Sequence, residues 1–537
     1  AGASDKPFFL YFPTGGAHAP LQAPEDWIKP YRGKFDQGWD RLRQETYERE
    51  KRLGVIPANT KLTPRPADLP AWDTLTSEQK LIAARLMEAY AGFLAHTDAQ
   101  VGRLLQELKD SGASENTLVI YIVGDNGASA EGGLLGSLNY MAAIQGLPEP
   151  DAQKLARIEE IGAPSTYPHM NAGWAWAMNA PFQWTKTVAS HLGGTRNPMV
   201  VSWPKVIKDR GGLRSQFSYV SDITPTILDV VGIAAPAEVN GVRQKPITGK
   251  SIAYSFKSRN APEQRHTQYF EVFGNRAIYH NGWMASAFHG RLPWSGISAG
   301  QPRMEDDPWE LYDLRTDFSQ AKDLAARHPE KLKELQAVFM QEAAANQVLP
   351  LSGVRPLKEG LPDPSAGLKR AVYGAGVVGL PEFSLPKTAN RSWSWEATLT
   401  TGKTASGVVA ALGGWEGGLS LYIDSDQKPV FVYKLFDMQT LTLKGDVALR
   451  PGAHDLRFTF KYDGGGFGKG GLATLFVDGV EATSGRLMAS APLFFSISEN
   501  FGVGLDTGSA VGDYPQGAPL GFPISDAQIH RVEVIAD

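Results

Sequence analysis

The 537-residue chain contains no cysteine. Disulfides, thiolate zinc sites, iron–sulfur clusters and a thiol nucleophile are therefore all excluded within these residues. Charge of one sign is also scarce: 53 Lys and Arg against 57 Asp and Glu leave a net charge of only −4. That balance argues against a nucleic-acid binder, which needs a basic footprint. No run approaches the ~18–20 uninterrupted apolar residues of a membrane span. The first residues, Ala1–Lys6, show no charged-then-apolar signal pattern. Gly and Pro stay below the roughly 25–30% that marks low-complexity chains. Instead 42% of the residues are hydrophobic, enough for large buried cores.

The chain changes texture along its length. Residues 1–264 alternate apolar runs with helical stretches. Phe8-Phe9-Leu10-Tyr11-Phe12 reads as a strand buried on both faces of a parallel sheet. Thr76 with Gln79 forms a capping-box pattern. It opens a helix that carries Ile82, Leu86, Tyr90 and Phe93 at helical spacing and stops near Ser111-Gly112. Residues 117–123 and 198–203 are further strand candidates. Such alternation predicts an α/β layer fold with a largely parallel sheet. Residues 265–349 predict a small α+β subdomain with short strands near 269–273, 276–279 and 310–314 and a helix over 329–345. Residues 350–372, rich in Pro and Gly, read as a linker. Beyond 373 short alternating strands and Gly-rich turns predict an antiparallel β-sandwich.

Chemistry concentrates in three places. The strand at 117–123 runs into Gly124-Asp125-Asn126-Gly127. A carboxylate beside an amide carbonyl at a strand's carboxyl end offers two hard oxygens, suited to calcium or magnesium rather than zinc. The same residues are also ordinary turn chemistry. His18 follows the first apolar run and is expected at the same sheet edge, as an anion contact, a general acid or a structural loop residue. Lys186 and His191 flank a Gly-rich stretch, Gly193-Gly194, whose small residues allow close backbone approach. Two pattern matches fail on context. Gly296–Gly300 has the nucleophile-elbow spacing but no strand–turn–helix around it. Gly464–Gly471 looks like a phosphate loop but lies between two sandwich strands.

Together these segments resemble the type I sulfatases of the alkaline phosphatase superfamily, closest to bacterial arylsulfatases with an appended β-sandwich. The residues that carry the resemblance are Pro7–Phe12 leading to Ala17-His18-Ala19-Pro20, Val123-Gly124-Asp125-Asn126-Gly127, Lys186 with Gly193-Gly194-Thr195-Arg196, and Trp309–Leu314. The resemblance implies an alkaline-phosphatase-like, mostly parallel sheet. It implies that Asp125 and Asn126 ligate an active-site Ca2+, with Mg2+ the lesser alternative. It gives Asp125 a second role in activating the nucleophile. His18 is implied to contact sulfate and to protonate the leaving alcohol or phenol, Lys186 to contact sulfate oxygens, and His191 to reach the sulfate or cap the Gly-rich turn. Asn126 discriminates within the superfamily, because Asp-Asn favours calcium where Asp-His favours zinc.

The sequence also departs from that family. Sulfatases make a formylglycine from a Cys/Ser-x-Pro-x-Arg motif, and none occurs here. The motif and the first metal pair are expected upstream of His18. The expectation is thus that an N-terminal segment completes the site and that this chain alone is inactive. The implied substrate is a small sulfate ester, aryl or related, and a periplasmic or secreted location is favoured. A phosphate or phosphonate ester hydrolase of the same superfamily is the alternative. So is a non-catalytic protein whose sandwich contacts a glycan or partner through Trp393, Trp395 and Trp415, although those tryptophans are expected in the core. Trp174, Trp176 and His169 are candidates for a pocket wall, and Arg196 is expected to be structural.

Overall fold

The computed structural model describes residues 6–295, 303–351, 365, 367–515, 517 and 521–537. The Gly296–Gly300 pattern and most of the 350–372 linker lie outside the described residues. The chain divides into two compact units, one holding residues 1–138 and 150–358, the other residues 139–149 and 359–537.

In the first unit the helix Ser77–Asp110 begins as its sequence predicts. Thr76 Oγ1 accepts from the Gln79 amide at 3.2 Å, and Gln79 Oε1 accepts from the Thr76 amide at 3.2 Å. Two otherwise orphaned donors are satisfied reciprocally. Thr76→Ala is expected to lower the stability of this unit by about 1 kcal/mol, read as a shift in denaturant midpoint. The helix buries Ile82, Ala83, Leu86, Met87 and Ala89. Next to it, Trp39, Trp72 and Trp174 pack with ring centroids 4.9–5.6 Å apart. Arg43 is buried beneath this cluster. It donates to Trp176 O at 2.6 Å, Thr63 Oγ1 at 2.8 Å and Phe182 O at 2.8 Å, and burial lowers its pKa to about 9.

Two expectations need correction here. The strands Val119–Ile122 and Met199–Ser202 form where expected, but they pair with each other antiparallel, Ile120 opposite Val201. Residues 7–12 form no strand, and Phe8–Phe12 are each more than half exposed. An apolar run needs a neighbouring strand to satisfy its backbone groups, and no described strand pairs with this one. The α/β class stands, while the parallel pairing is absent among the described residues.

The subdomain is a four-stranded antiparallel meander, Thr267–Val272, Asn275–His280, Trp283–Ala287 and Trp309–Asp313. The third strand, small and almost fully buried, was not anticipated. The helix Pro329–Ala345 covers the sheet with Leu335, Phe339 and Ala343.

The second unit is the antiparallel β-sandwich. Its strand Trp393–Gly414 serves both layers. Residues 393–401 pair with Gly452–Tyr462 and Ser525–Ala536, and residues 407–414 pair with Gly417–Ile423. At the start of the second stretch Gly407 takes φ +108°, and a Cβ there would lie 2.1 Å from Pro523 O. Only glycine fits that corner. Trp393 and Trp395 are 5% and 1% exposed, and Phe431 stacks on Phe458 at 3.5 Å. Trp393 and Trp395 are core residues and offer no glycan surface, whereas Trp415 is half-buried. Gly464–Gly471 bridges two sandwich strands, and Asp478-Gly479, both at positive φ, makes the hairpin turn that the sequence signals.

Candidate anion-binding site

The site is assembled by backbone contacts that only glycine permits. Gly127 N donates to Gly194 O at 3.0 Å, and Lys186 N donates to Ala128 O at 3.0 Å. The Asp125–Gly127 turn thus lies directly against the turn Gly193-Gly194. A Cβ on Gly127 would stand 1.8 Å from Gly193 O. Asn197, with its amide oriented to satisfy both groups, donates to Asn126 O and accepts from Asn126 N, each at 3.0 Å. Asn179 Oδ1 accepts from Ala128 N at 3.0 Å, and its Nδ2 donates to Trp184 O at 3.1 Å. Two asparagines therefore join segments some 50 to 70 residues apart in sequence. Neither was singled out from the sequence, since a lone Asn in a loop carries no signal.

Lys186 is the centre of this arrangement. Its Nζ lies 2.8 Å from Glu131 Oε2 and 3.2 Å from His18 Nε2. The structure thus brings together His18 and Lys186, which are 168 positions apart. His18 Nδ1 is 2.9 Å from Ala19 O. A carbonyl only accepts, so Nδ1 carries the proton and Nε2 of the neutral ring accepts from the lysine.

Behind Lys186 runs a buried polar chain. Ser129 Oγ lies 2.9 Å from Glu131 Oε2 and 3.0 Å from His169 Nε2, while His169 Nδ1 donates to Met170 O at 3.1 Å. Burial pushes the Glu131 carboxyl up, but the Lys186 charge and hydrogen bond, aided by His169 and Ser129, outweigh it and hold the group below its ordinary value. Glu131 therefore stays ionised beside the Lys186 ammonium. Glu131 and Ser129 were missed in the sequence. The cue available was Ala128-Ser129-Ala130-Glu131 following Asp125-Asn126 directly.

His169 is 2% exposed, and burial lowers its pKa to about 4. It joins this chain rather than walling a pocket. Trp174 and Trp176 do neither, being 0% and 4% exposed within the core. The low value has a consequence for stability. Above pH 6.5 His169 is neutral folded and unfolded, so nothing is lost. As pH falls from 6.5 towards 4 only the unfolded chain takes the proton, and stability drops. By pH 4.5 the loss from this group is about 2–3 kcal/mol. Denaturant midpoints of His169→Gln are accordingly expected to fall less between pH 7 and pH 4.5 than those of the unsubstituted chain.

His191 is fully buried. Its Nε2 pairs with Glu310 Oε2 at 2.8 Å and its Nδ1 lies 2.9 Å from Ser190 Oγ. The His191 carbonyl accepts from Gly194 N at 3.0 Å, so it braces the Gly-rich turn. The Arg196 guanidinium lies 4.0 Å over the Phe318 ring, an apolar packing role.

Asp125 is exposed, and its Oδ1 accepts from Asn126 Nδ2 at 2.8 Å. The pair offers hard oxygen chemistry of the kind calcium takes. It supplies two donors, whereas Ca2+ takes six to eight. No cluster of three or more His, Cys, Asp or Glu able to hold a metal occurs among the described residues. The residues described do not by themselves make a calcium site.

The structure thus brings an ammonium and an imidazole together beside the glycine-packed turns of the first unit. Known proteins are similar to this chain. Residues 1–233 match the Sulfatase family model, and residues 191–347 match the model for the C-terminal part of N-sulphoglucosamine sulphohydrolase. An uncharacterised sulfatase of Schizosaccharomyces pombe is 32% identical over 333 residues, covering 61% of this chain and 56% of that protein. An arylsulfatase of Klebsiella aerogenes is 29% identical over 49% of this chain and 55% of its own length. Among solved structures, a putative sulfatase from Bacteroides fragilis matches with a TM-score of 0.29 and 15% identity, over 60% of this chain and 58% of that one. Residues 1–347 are thus similar to sulfatases, and a C-terminal β-rich unit follows them. The chain spans about half the length of the curated relatives it matches.

Proposed function

We propose that residues 1–347 form the anion-recognition side of a sulfate ester hydrolase acting on aryl or related esters. The observation that carries this reading is Lys186 Nζ held between Glu131 and His18, in a chain similar to sulfatases. A sulfate ester needs cationic groups on its non-bridging oxygens and a proton for its leaving oxygen. Lys186, paired with Glu131, binds the sulfate oxygens. Once those oxygens draw the ammonium off His18, Nε2 takes a proton from solvent and passes it to the leaving oxygen, which departs as the neutral alcohol or phenol. His191 acts through the Gly-rich turn as a positioning residue.

Asp125 and Asn126 would hold a calcium ion through two of its oxygen ligands, and the ion would neutralise charge on the sulfate. A formylglycine supplies the nucleophile in this family. The 537 residues contain neither a cysteine nor a Ser-x-Pro-x-Arg sequence from which one is made, so no step is assigned to it here.

Calorimetry with inorganic sulfate, alongside turnover assays on 4-nitrophenyl sulfate and 4-nitrophenyl phosphate, tests the reading. Sulfate binding, competition by 4-nitrophenyl sulfate and no hydrolysis of either ester by this chain alone are expected. Phosphate-ester turnover, or failure to bind sulfate, would overturn it.

A further inference from the structure

A cavity of about 290 Å3 lies in the first unit, lined by Trp184, Phe288, His191, Asp306, Asp307 and Glu310. At the small end of ligand pockets, it has room for one ring rather than a chain. It adjoins the anion site: Trp184 precedes Lys186 by two residues, and Gly290 of its rim leads into Arg291, on which the Glu131 charge acts.

The aromatic wall is built, not incidental. The Trp184 and Phe288 rings stack at 4.4 Å with planes 19° apart. Trp184 takes φ +66°, a conformation costly for a bulky side chain, and its carbonyl is held by Asn179. The lining also carries carboxylates. Glu310 receives both His191 Nε2, at 2.8 Å, and Tyr312 OH, at 2.9 Å, on the same oxygen, Oε2. Its Oε1 takes no hydrogen bond among the described residues. Asp306 is exposed and makes no ion pair among the described residues. Asp307 is occupied, bonded by Arg276 at 2.6 Å and His289 at 3.0 Å. Glu310 and Asp306 thus line the cavity, and no lysine or arginine lines it among the described residues.

We propose that this cavity receives the part of the substrate beyond the ester oxygen, and that it selects a ring carrying hydroxyl or ammonium donors and no anionic group. An apolar face on aromatic rings and donors on carboxylates is the chemistry of a pyranose or amino-pyranose. Like charge disfavours a uronate or a second sulfate at the same place. The link to ester cleavage rests on the reading above; the ring preference does not.

The test titrates the full 537-residue chain with methyl α-D-glucopyranoside, D-glucosamine and D-glucuronate, followed by saturation-transfer NMR and calorimetry, with inorganic sulfate titrated separately. Both uncharged-or-cationic rings are expected to bind, and glucuronate at least about tenfold more weakly. Asp306→Asn, an exposed change without packing consequence, and Glu310→Gln should each weaken glucosamine and narrow its advantage over glucuronate. Glucuronate binding as well as glucosamine, or ring binding indifferent to both substitutions, would overturn the proposal. Rings that bind while sulfate does not would sink the ester-hydrolase reading and leave this one standing. Sulfate that binds while no ring does would sink this one alone.

Discussion

Lys186→Ala is expected to reduce the affinity for inorganic sulfate by about 10–100-fold, the worth of one charge-assisted hydrogen bond of roughly 1.5–3 kcal/mol. The reason lies in the pair it makes with Glu131 at 2.8 Å. Removing the ammonium takes away the cation that binds sulfate and leaves a largely buried carboxylate in its place. That carboxylate then repels the anion. Burial alone pushes Glu131 up and the lysine is the leading influence pulling it down, so its pKa should rise in the variant. Part of the lost affinity should therefore return as pH falls and Glu131 protonates. Calorimetric titrations of sulfate at neutral and mildly acidic pH measure both effects. Unchanged affinity in Lys186→Ala would show that the ammonium is only a structural counterion to Glu131. Glu131→Gln separates the roles further, since it keeps the hydrogen-bonding shape without the charge.

The second large effect is expected at a residue with no side chain. Gly127→Ala places a methyl group 1.8 Å from Gly193 O. Neither side can give way. Gly193 is itself wedged, with a Cβ position 1.9 Å from Gln183 O, and Gly194 has one 2.4 Å from Val188 O. Overpacking backbone against backbone costs about 3 kcal/mol, and it breaks the hydrogen bond from Gly127 N to Gly194 O. Gly133 supplies the control. It has φ +76° with nothing within 4 Å of its Cβ position, so Gly133→Ala is expected to cost only about 1 kcal/mol of left-handed backbone strain. Denaturant unfolding ranks the two. Equal costs would show that the Asp125–Gly127 turn and the Gly193-Gly194 turn are not rigidly joined. Sulfate affinity should fall in Gly127→Ala alone, because the same contact sets where Lys186 stands relative to Asp125 and Asn126.

Local signals in the sequence were the ones that transferred most directly to structure. The Thr76–Gln79 capping box, the helix over 329–345 and the alternating sandwich strands each depend on residues a few positions apart, where propensity and side-chain periodicity act. The failures involve pairing partners. Phe8–Phe12 has the composition of a buried strand, but composition does not supply a neighbour. Val119–Ile122 and Met199–Ser202 are strands in either direction of pairing, and their residues do not say which. Trp174 and Trp176 show the same limit in the core: an aromatic stretch before Lys186 suits a pocket wall equally well. Their burial against Trp39, Trp72 and Arg43 depends on residues over a hundred positions away.

By itself the sequence determined the α/β-then-sandwich order, the absence of thiol chemistry, and the candidacy of His18, Asp125, Asn126, Lys186 and His191. Each follows from residue type or from spacing within one element. Only the tertiary structure decided what those residues meet. It placed His18 Nε2 on Lys186, set Glu131, Ser129 and His169 behind the lysine, turned His191 inward to Glu310, and opened an acidic, aromatic cavity beside them. Short-range hydrogen bonds and electrostatics depend on separations of a few ångströms, and segments far apart along the chain acquire those separations only when the backbone turns packed by Gly127, Gly193 and Gly194 bring them together.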